Sequence, residues 1–456
     1  MVALLVALLL CIGNRPGVSF PLLTATAPSW AALQEILPTY ALQEPLVIDP
    51  ALDNCMDAQP ELSKDLIILF RERNGWCPYS QRVWLALEYK SVEYNTILID
   101  NTGRKPSWYG GNTPSVVWPS SGQRQSESMD IIERLDVECP GTRPLYPQDA
   151  KGKSEVKRFI SAFRDTFPRM TRPSSRSAFL FQSNGMPVFK AEFEKTLEKT
   201  DLLLAEHKSG PFFLGDKFTA ADIAWIPFLE RYAYQLPILH VGLNPRDSMR
   251  WPNLAKWYDA IEQYDCMRGC YAGKCQGDQQ SWAKVLNQAG YGNDGVMPDV
   301  QESGWVVSES EMLQSHSLKC EIFAKYALGK EYVADTPYEE AAVRIVRNQA
   351  RLKKDITKYF SSSSSSSSSS GSISEDDVDV GLRYFCDLLL AGENDGLDAL
   401  PTCSSDLGME VEAMLVIAQK IAGYFDDRMC IPRDMSILSA HCIRKLFRKL
   451  TIDNGG

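Results

Sequence analysis

A short apolar run, Leu66-Ile67-Ile68-Leu69-Phe70, leads through a loop carrying Trp76-Cys77-Pro78-Tyr79-Ser80 into Gln81-Arg82-Val83-Trp84-Leu85-Ala86-Leu87, and this stretch constrains the chain more than any other. The run has strand length, and Val83, Ala86 and Leu87 recur at helical spacing, so the pattern predicts a strand, a loop and an amphipathic helix. Pro78 suits the first helical turn, where a missing N–H breaks no helical bond. Cys77 is thereby set at a helix start, where unpaired backbone N–H groups and the positive end of the helix dipole favour thiolate over thiol. Ser80 stands where a dithiol oxidoreductase carries its second cysteine, so a mixed disulfide on Cys77 has to be resolved by an outside thiol. The competing reading is an inert buried thiol, since free Cys is among the most buried residue types.

Beyond this helix, Val92 to Ile99 reads as a strand, parallel to the first because a helix separates them. Gly103, Pro106, Gly110 and Gly111 mark a loop, Ser115 to Trp118 a short strand, Pro119 to Gly122 a turn, and Glu127 the start of a helix with Met129, Ile132 and Leu135 on one side. The expectation over 64–147 is therefore βαβ followed by ββα. From 148 to 275 the pattern is all helical: Val156, Phe159, Ile160, Phe163 and Phe167 form one buried stripe, and Phe189, Phe193, Leu197 and Leu204 a second. Thr219-Ala220-Ala221-Asp222 has the spacing of a capping box, and Trp251-Pro252-Asn253-Leu254 opens a further helix.

Residues 276–456 read as a helical extension. Thr336-Pro337-Tyr338-Glu339 caps one helix, serines fill 361–370 within a stretch expected to be disordered over 361–371, and further helices are expected near 378–390, 409–425 and 435–450. A formal net charge of -10 argues against a nucleic-acid partner. Only His207, His240, His316 and His441 are present, none in a ligand-like pair, so no metal is expected. Twelve cysteines over 456 residues are too sparse for a disulfide scaffold, and a reducing compartment fits better. Cys266, Cys270 and Cys275 lie close together with spacings unlike zinc motifs, which leaves chance loop cysteines and a redox or glutathionylation site both open.

Residues 1–33 read as a targeting presequence. Val2 to Ile12 has the length of a signal-peptide apolar core and is too short to span a bilayer, and Gly17 and Ser19 allow cleavage before Phe20. The Thr-, Ala-, Ser- and Pro-rich stretch that follows has no acid before Glu35, and Ser19-Phe20-Pro21 resembles a bipartite plastid presequence. A plastid location is expected, with a cytoplasmic one as the alternative, and the mature chain is not expected to span a membrane. Residues 34–63 read as a linker.

Together these motifs resemble the cysteine-dependent glutathione transferases, with the lambda class nearest and the omega and dehydroascorbate reductase classes as neighbours. The carriers are Cys77 to Trp84, Lys105-Pro106-Ser107-Trp108-Tyr109, Thr113-Pro114, Ser126 to Ile132, and Phe213-Leu214-Gly215-Asp216 through Asp222, covering about residues 64 to 270. The resemblance implies an α/β thioredoxin-like glutathione-binding domain over 64–147, followed by an all-α transferase domain over 148–275. It makes Cys77 the nucleophile, with Pro78 and Ser80 as its helix-start neighbours. It also implies a glutathione cradle: the Thr113 backbone beside a cis Pro114, Glu127 and Ser128 on the γ-glutamyl end, and Lys105 on the glycyl carboxylate. Thr113 stands where an aliphatic residue is usual, and the loop from Lys105 to Pro114 is short for the family. The implied activity is a glutathione-dependent thiol transferase or reductase acting on a small electrophilic, glutathionylated or oxidised substrate, dehydroascorbate included. The alternative is a non-catalytic ligand-binding or scaffold protein. Monomer and dimer are both open.

Overall fold

The computed structural model describes residues 27–37, 47–51, 53–62, 64–101, 103–169, 171, 178–264, 282, 285, 286, 323, 334–363, 373–394, 409–429, 435 and 437–452. In chain order, the first elements are α1 (Trp30–Ile36), β1 (Val47–Ile48), β2 (Ile67–Glu72), α2 (Pro78–Lys90) and β3 (Tyr94–Ile99). Then come β4 (Ser115–Val117), β5 (Arg124–Ser126), α3 (Ser128–Glu138), α4 (Ala150–Thr166), α5 (Lys190–Leu204), α6 (Ala220–Leu239) and α7 (Pro252–Ile261). The last are α8 (Pro337–Ser363), α9 (Glu375–Asn394), α10 (Met409–Arg428) and α11 (Ile437–Ile452). The chain divides into two compact units, Leu37–Arg344 with Asp427–Arg444, and Met1–Ile36 with Ile345–Asp426 and Lys445–Gly456.

In the first unit a five-stranded sheet runs in the order β1-β3-β2-β4-β5. β1, β3 and β2 are parallel, and β4 and β5 run antiparallel to their neighbours. Every residue of β2 is buried, as a central strand with both faces covered requires. Ile48, Ile68, Phe70, Ile97, Ile99 and Tyr109 form a core cluster, with Trp108 and Val117 packed on it. α2 and α3 pack together, and Lys90, 1% exposed at its side chain, pins them by donating to Asp136 at 2.6 Å. This is a thioredoxin-like sheet with the βαβ–ββα order read from the sequence.

One strand was not foreseen. Within the expected linker, Val47–Ile48 pairs with Thr96 and Ile97 at the sheet edge, and Asp49 beside it binds Arg73 at 2.6 Å. Two residues give no periodic signal, so only the pairing reveals the strand.

The all-helical part centres on α6, in which every residue from Ala220 to Ile238 is buried. Such a helix has neighbours on all sides. Its start is fixed by the capping box read from sequence, Thr219 with Asp222. Asp222 also accepts from Phe213 N at 3.2 Å and Trp257 Nε1 at 3.0 Å, which ties α7 to the same point.

The second unit is helical, and the described amino-terminal residues belong to it. Trp30 Nε1 donates to Asp379 Oδ1 at 3.1 Å, and Arg383 donates to the carbonyls of Ala27 and Pro28 at 3.3 and 2.6 Å. Leu33 is fully buried. The expected presequence of 1–33 thus overlaps a packed helix, while residues 1–26 lie outside the described residues. A Cβ on Gly381 would lie 2.3 Å from Ile417 Cγ2, so α9 and α10 meet at a backbone-close crossing. α8 runs into the serine stretch as far as Ser363, against the expected disorder at its start. Ser361 donates to the Thr357 carbonyl at 2.8 Å, the i−4 bond by which a serine hydroxyl joins a helix. The rest of the serine run, with Cys266, Cys270 and Cys275, lies outside the described residues.

If α1 is an integral part of the second unit, Leu33→Ala should destabilise it by about 3 kcal/mol, the range of a buried leucine deletion. Urea unfolding of the full chain and the variant measures this, and a Leu33→Ala midpoint equal to that of the parent would contradict the expectation.

Candidate active site

Strand direction gathers the sequence-derived site residues at one end of the sheet. β2 ends at Glu72 and delivers the Cys77 loop, while antiparallel β4 begins beside it, with Phe70 opposite Ser115. Ser115 also faces Ser126 of β5, after which the chain turns into Glu127-Ser128 and α3. Cys77, Thr113-Pro114 and Glu127-Ser128 therefore share one edge, although up to fifty residues separate them in the chain.

Cys77 is the N-cap of α2, with φ -74° and ψ 114°, and is 3% exposed. The loop before it is organised by Glu72. The carboxylate of this 4% exposed residue accepts from Asn74 N at 2.8 Å, Trp76 N at 2.7 Å and Cys77 N at 3.3 Å. The amides of Trp76 and Cys77 are thus turned to Glu72. The donors left without an intrahelical acceptor are the first-turn amides of Tyr79 and Ser80, because Pro78 has no N–H and Gln81 N already reaches Cys77 O. Ser80 is 2% exposed, and its hydroxyl accepts from Glu72 N at 3.3 Å, so it ties the helix start to the strand end.

Around this loop lies a buried polar shell. Arg231 of α6 is fully buried and donates to Trp76 O at 2.8 Å and to Gln81 Oε1 at 2.7 Å. Gln81 Nε2 in turn donates to Glu230 at 2.5 Å. Arg82 donates to Ala224 O at 2.8 Å, and its Cζ lies 5.3 Å from the Tyr79 ring, 4.8 Å from Phe163 and 5.1 Å from Phe228. Burial pulls both guanidiniums down, to about 10, against opposing pulls from Tyr79 and Cys77 on Arg82 and from Glu230 and Cys77 on Arg231. Both stay charged at neutral pH, and both place positive charge near the sulfur. Burial raises the Tyr79 phenol, with Arg82 pulling it down and Cys77 and Glu127 pushing it further up, so thiol and carboxylate share one neighbourhood.

The other sequence-derived residues are placed as follows. The Thr113–Pro114 bond is cis, and the Thr113 hydroxyl accepts from Asn101 Nδ2 at 2.6 Å. Glu127 has φ 69°, unusual for a residue with a side chain, and makes no capping bond to α3. A plain cap would bond the first turn; this carboxylate does not. Ser128 is buried at the first position of α3. Lys105 Nζ donates to Gly111 O at 2.8 Å and closes its own loop, so of the expected ligands it carries the plainest structural role. Among the described residues no group of three or more His, Cys, Asp or Glu could hold a metal ion, and no helix is long and apolar enough to cross a membrane.

Comparison with known proteins agrees with this geometry. The model of the glutathione S-transferase N-terminal domain matches residues 76–138, and that of the C-terminal domain matches residues 176–260. Protein IN2-1 homolog B of Oryza sativa subsp. indica is 30% identical over 194 residues, 41% of this chain and 73% of that protein. The chain belongs to the glutathione S-transferase family. Glutathione S-transferase L3 of Arabidopsis thaliana is 29% identical, over 41% of this transferase and 76% of the relative. Glutathione S-transferase L2, chloroplastic, of the same plant is 27% identical, over 41% and 61%. The lambda-type resemblance read from the motifs is thus met by relatives of that type.

Sequence reasoning missed Glu72, Glu230 and Arg231. Glu72 ends an apolar strand and Arg231 interrupts an otherwise buried helix; a charge at such a position must find a partner, and that was the available signal. Glu72→Ala would leave three loop amides without their acceptor, at a cost of about 2 kcal/mol. Hydrogen exchange at Asn74, Trp76 and Cys77 should speed up selectively. Unchanged exchange at these amides would contradict the role given to Glu72.

Proposed function

We propose that this transferase is a glutathione-dependent thiol transferase or reductase with Cys77 as its single nucleophile. The observation that carries the reading is the pairing of Cys77 at the α2 start with Ser80, which is committed to Glu72 N, where a second thiol would otherwise stand. The Cys77 thiolate attacks the glutathione sulfur of a glutathionylated substrate, forming Cys77–S–SG and releasing the substrate thiolate, which takes up a proton. A second glutathione thiolate attacks that mixed disulfide and leaves as glutathione disulfide, regenerating Cys77. The substrate is released as its thiol and one free glutathione is oxidised, the other half of the glutathione disulfide having arrived already oxidised in the adduct. Dehydroascorbate reduction draws on the same thiol but takes two electrons and two protons, supplied by two free glutathiones that leave as one glutathione disulfide.

Glutathione binding is assigned by chemistry. The γ-glutamyl ammonium suits the Glu127 carboxylate, which no cap bond occupies, and the γ-glutamyl carboxylate suits Ser128 at the α3 start. The Thr113 backbone, just ahead of the first paired residue of β4, is placed to bond the cysteinyl backbone like a strand edge. Lys105 would have to leave Gly111 O to meet the glycyl carboxylate.

A second reading is supported by the 3% exposure of Cys77: a binding protein in which the thiol is inert. Glutathione:disulfide exchange separates the two. Cys77→Ser should abolish turnover and the glutathione mass adduct, whereas Glu127→Gln should raise KM for glutathione about tenfold by loss of one charge-assisted bond. Equal rates for Cys77→Ser and the parent would rule out the enzyme as framed.

For location, a plastid is proposed, supported by the presequence character of the leader and by the chloroplastic name of one relative. Because Ala27 to Ile36 is built into the second unit, processing should stop ahead of Ala27. Mass spectrometry of the mature amino terminus reads this directly, and a start beyond Ile36 would contradict it.

A further inference from the structure

Among the residues described beyond α7, Trp282 packs on Arg231 beside the Cys77 loop. This residue is 4% exposed, its ring lies 4.3 Å from Arg231 Cζ, and its carbonyl accepts from Gln235 Nε2 at 3.1 Å. Val285 and Leu286 are likewise buried, at 2% and 0%. Beneath the indole, Arg231 reaches the Trp76 carbonyl at 2.8 Å, one residue before the nucleophile. Indole, guanidinium and loop carbonyl thus form a continuous chain of contacts ending at Cys77.

Arg231 needs that cover. It is fully exposed to no solvent, and the nearest carboxylate on its own helix, Glu230, is 4.0 Å away. A buried guanidinium in that setting depends on neutral acceptors and on a desolvated aromatic face. Opening the face to water would let solvent compete for the donors that now hold Trp76 and Gln81. The loop would then be restrained by Glu72 from the strand side alone.

We propose that Trp282 is a positioning residue for Cys77, acting through Arg231. The proposal rests on the reading of Cys77 as nucleophile, and its test keeps the two apart. In the full-length protein, Trp282→Leu retains apolar volume without the π face, and Trp282→Phe retains a face. Trp282→Leu should speed hydrogen exchange at the Trp76 and Cys77 amides about tenfold and lower kcat of glutathione:disulfide exchange about tenfold, with KM for glutathione within about twofold. Trp282→Phe should recover both to within about threefold of the parent. Parent-like loop exchange in Trp282→Leu overturns the proposal, as does a Trp282→Phe variant no better than Leu, because volume and not the ring would then be at work. Absence of Cys77-dependent turnover in the parent overturns the nucleophile reading and is seen in kcat alone, while loop exchange still reports on the Trp282–Arg231 contact.

Discussion

The site depends first on the Glu72 carboxylate. A strand that ends in a buried acid must neutralise that acid or hydrogen-bond it, and here three loop amides do so. The consequence is geometric. With Asn74, Trp76 and Cys77 drawn to one carboxylate, the loop turns back on the strand end, and Cys77 becomes the N-cap of α2. The Ser80 hydroxyl on Glu72 N closes the same knot from the helix side. A thiol on a free loop would sample many positions; Cys77 is held between a strand and a helix that are themselves buried.

The second dependence is on α6. A helix buried from Ala220 to Ile238 offers no solvent-facing stripe for charge, yet it carries Glu230, Arg231 and Gln235. These residues turn a packing element into a polar clamp on the thioredoxin-like part: Glu230 takes Gln81, Arg231 takes Gln81 and the Trp76 carbonyl, and the Ala224 carbonyl takes Arg82. Replacing such a network by apolar side chains would often be neutral for stability, so its retention is better explained by what it orients than by what it stabilises.

Much of this was legible in the sequence, and for definite reasons. The βαβ–ββα order, the helical stripes and the Thr219 capping box rest on periodicity and local hydrogen bonding, which a single chain displays in its own residues. The Cys77 loop was readable because a strand-length run, Pro78 and a helical spacing announce their backbone geometry, whereas Thr113-Pro114 and Glu127 were picked out by family resemblance, and nothing in its residue type announces the positive φ of Glu127. Three features were not readable. β1 is two residues long and exists only by pairing with β3. The turn of the loop amides toward Glu72 depends on a carboxylate five residues upstream of the thiol, which no helix-start pattern announces. Trp30 and Asp379 meet across 349 residues, a separation over which no local pattern carries information.

That last contact bears on how the chain is built. The second unit draws on Met1–Ile36 as well as on two carboxyl-terminal stretches, so its elements are the most distant in sequence that the protein brings together. Loop-closure entropy grows only logarithmically with separation, so such a contact is affordable at equilibrium once Leu33 and the Arg383 bonds add to it. Kinetically the order is constrained, because α1 leaves the ribosome first and has no partner until α9 follows.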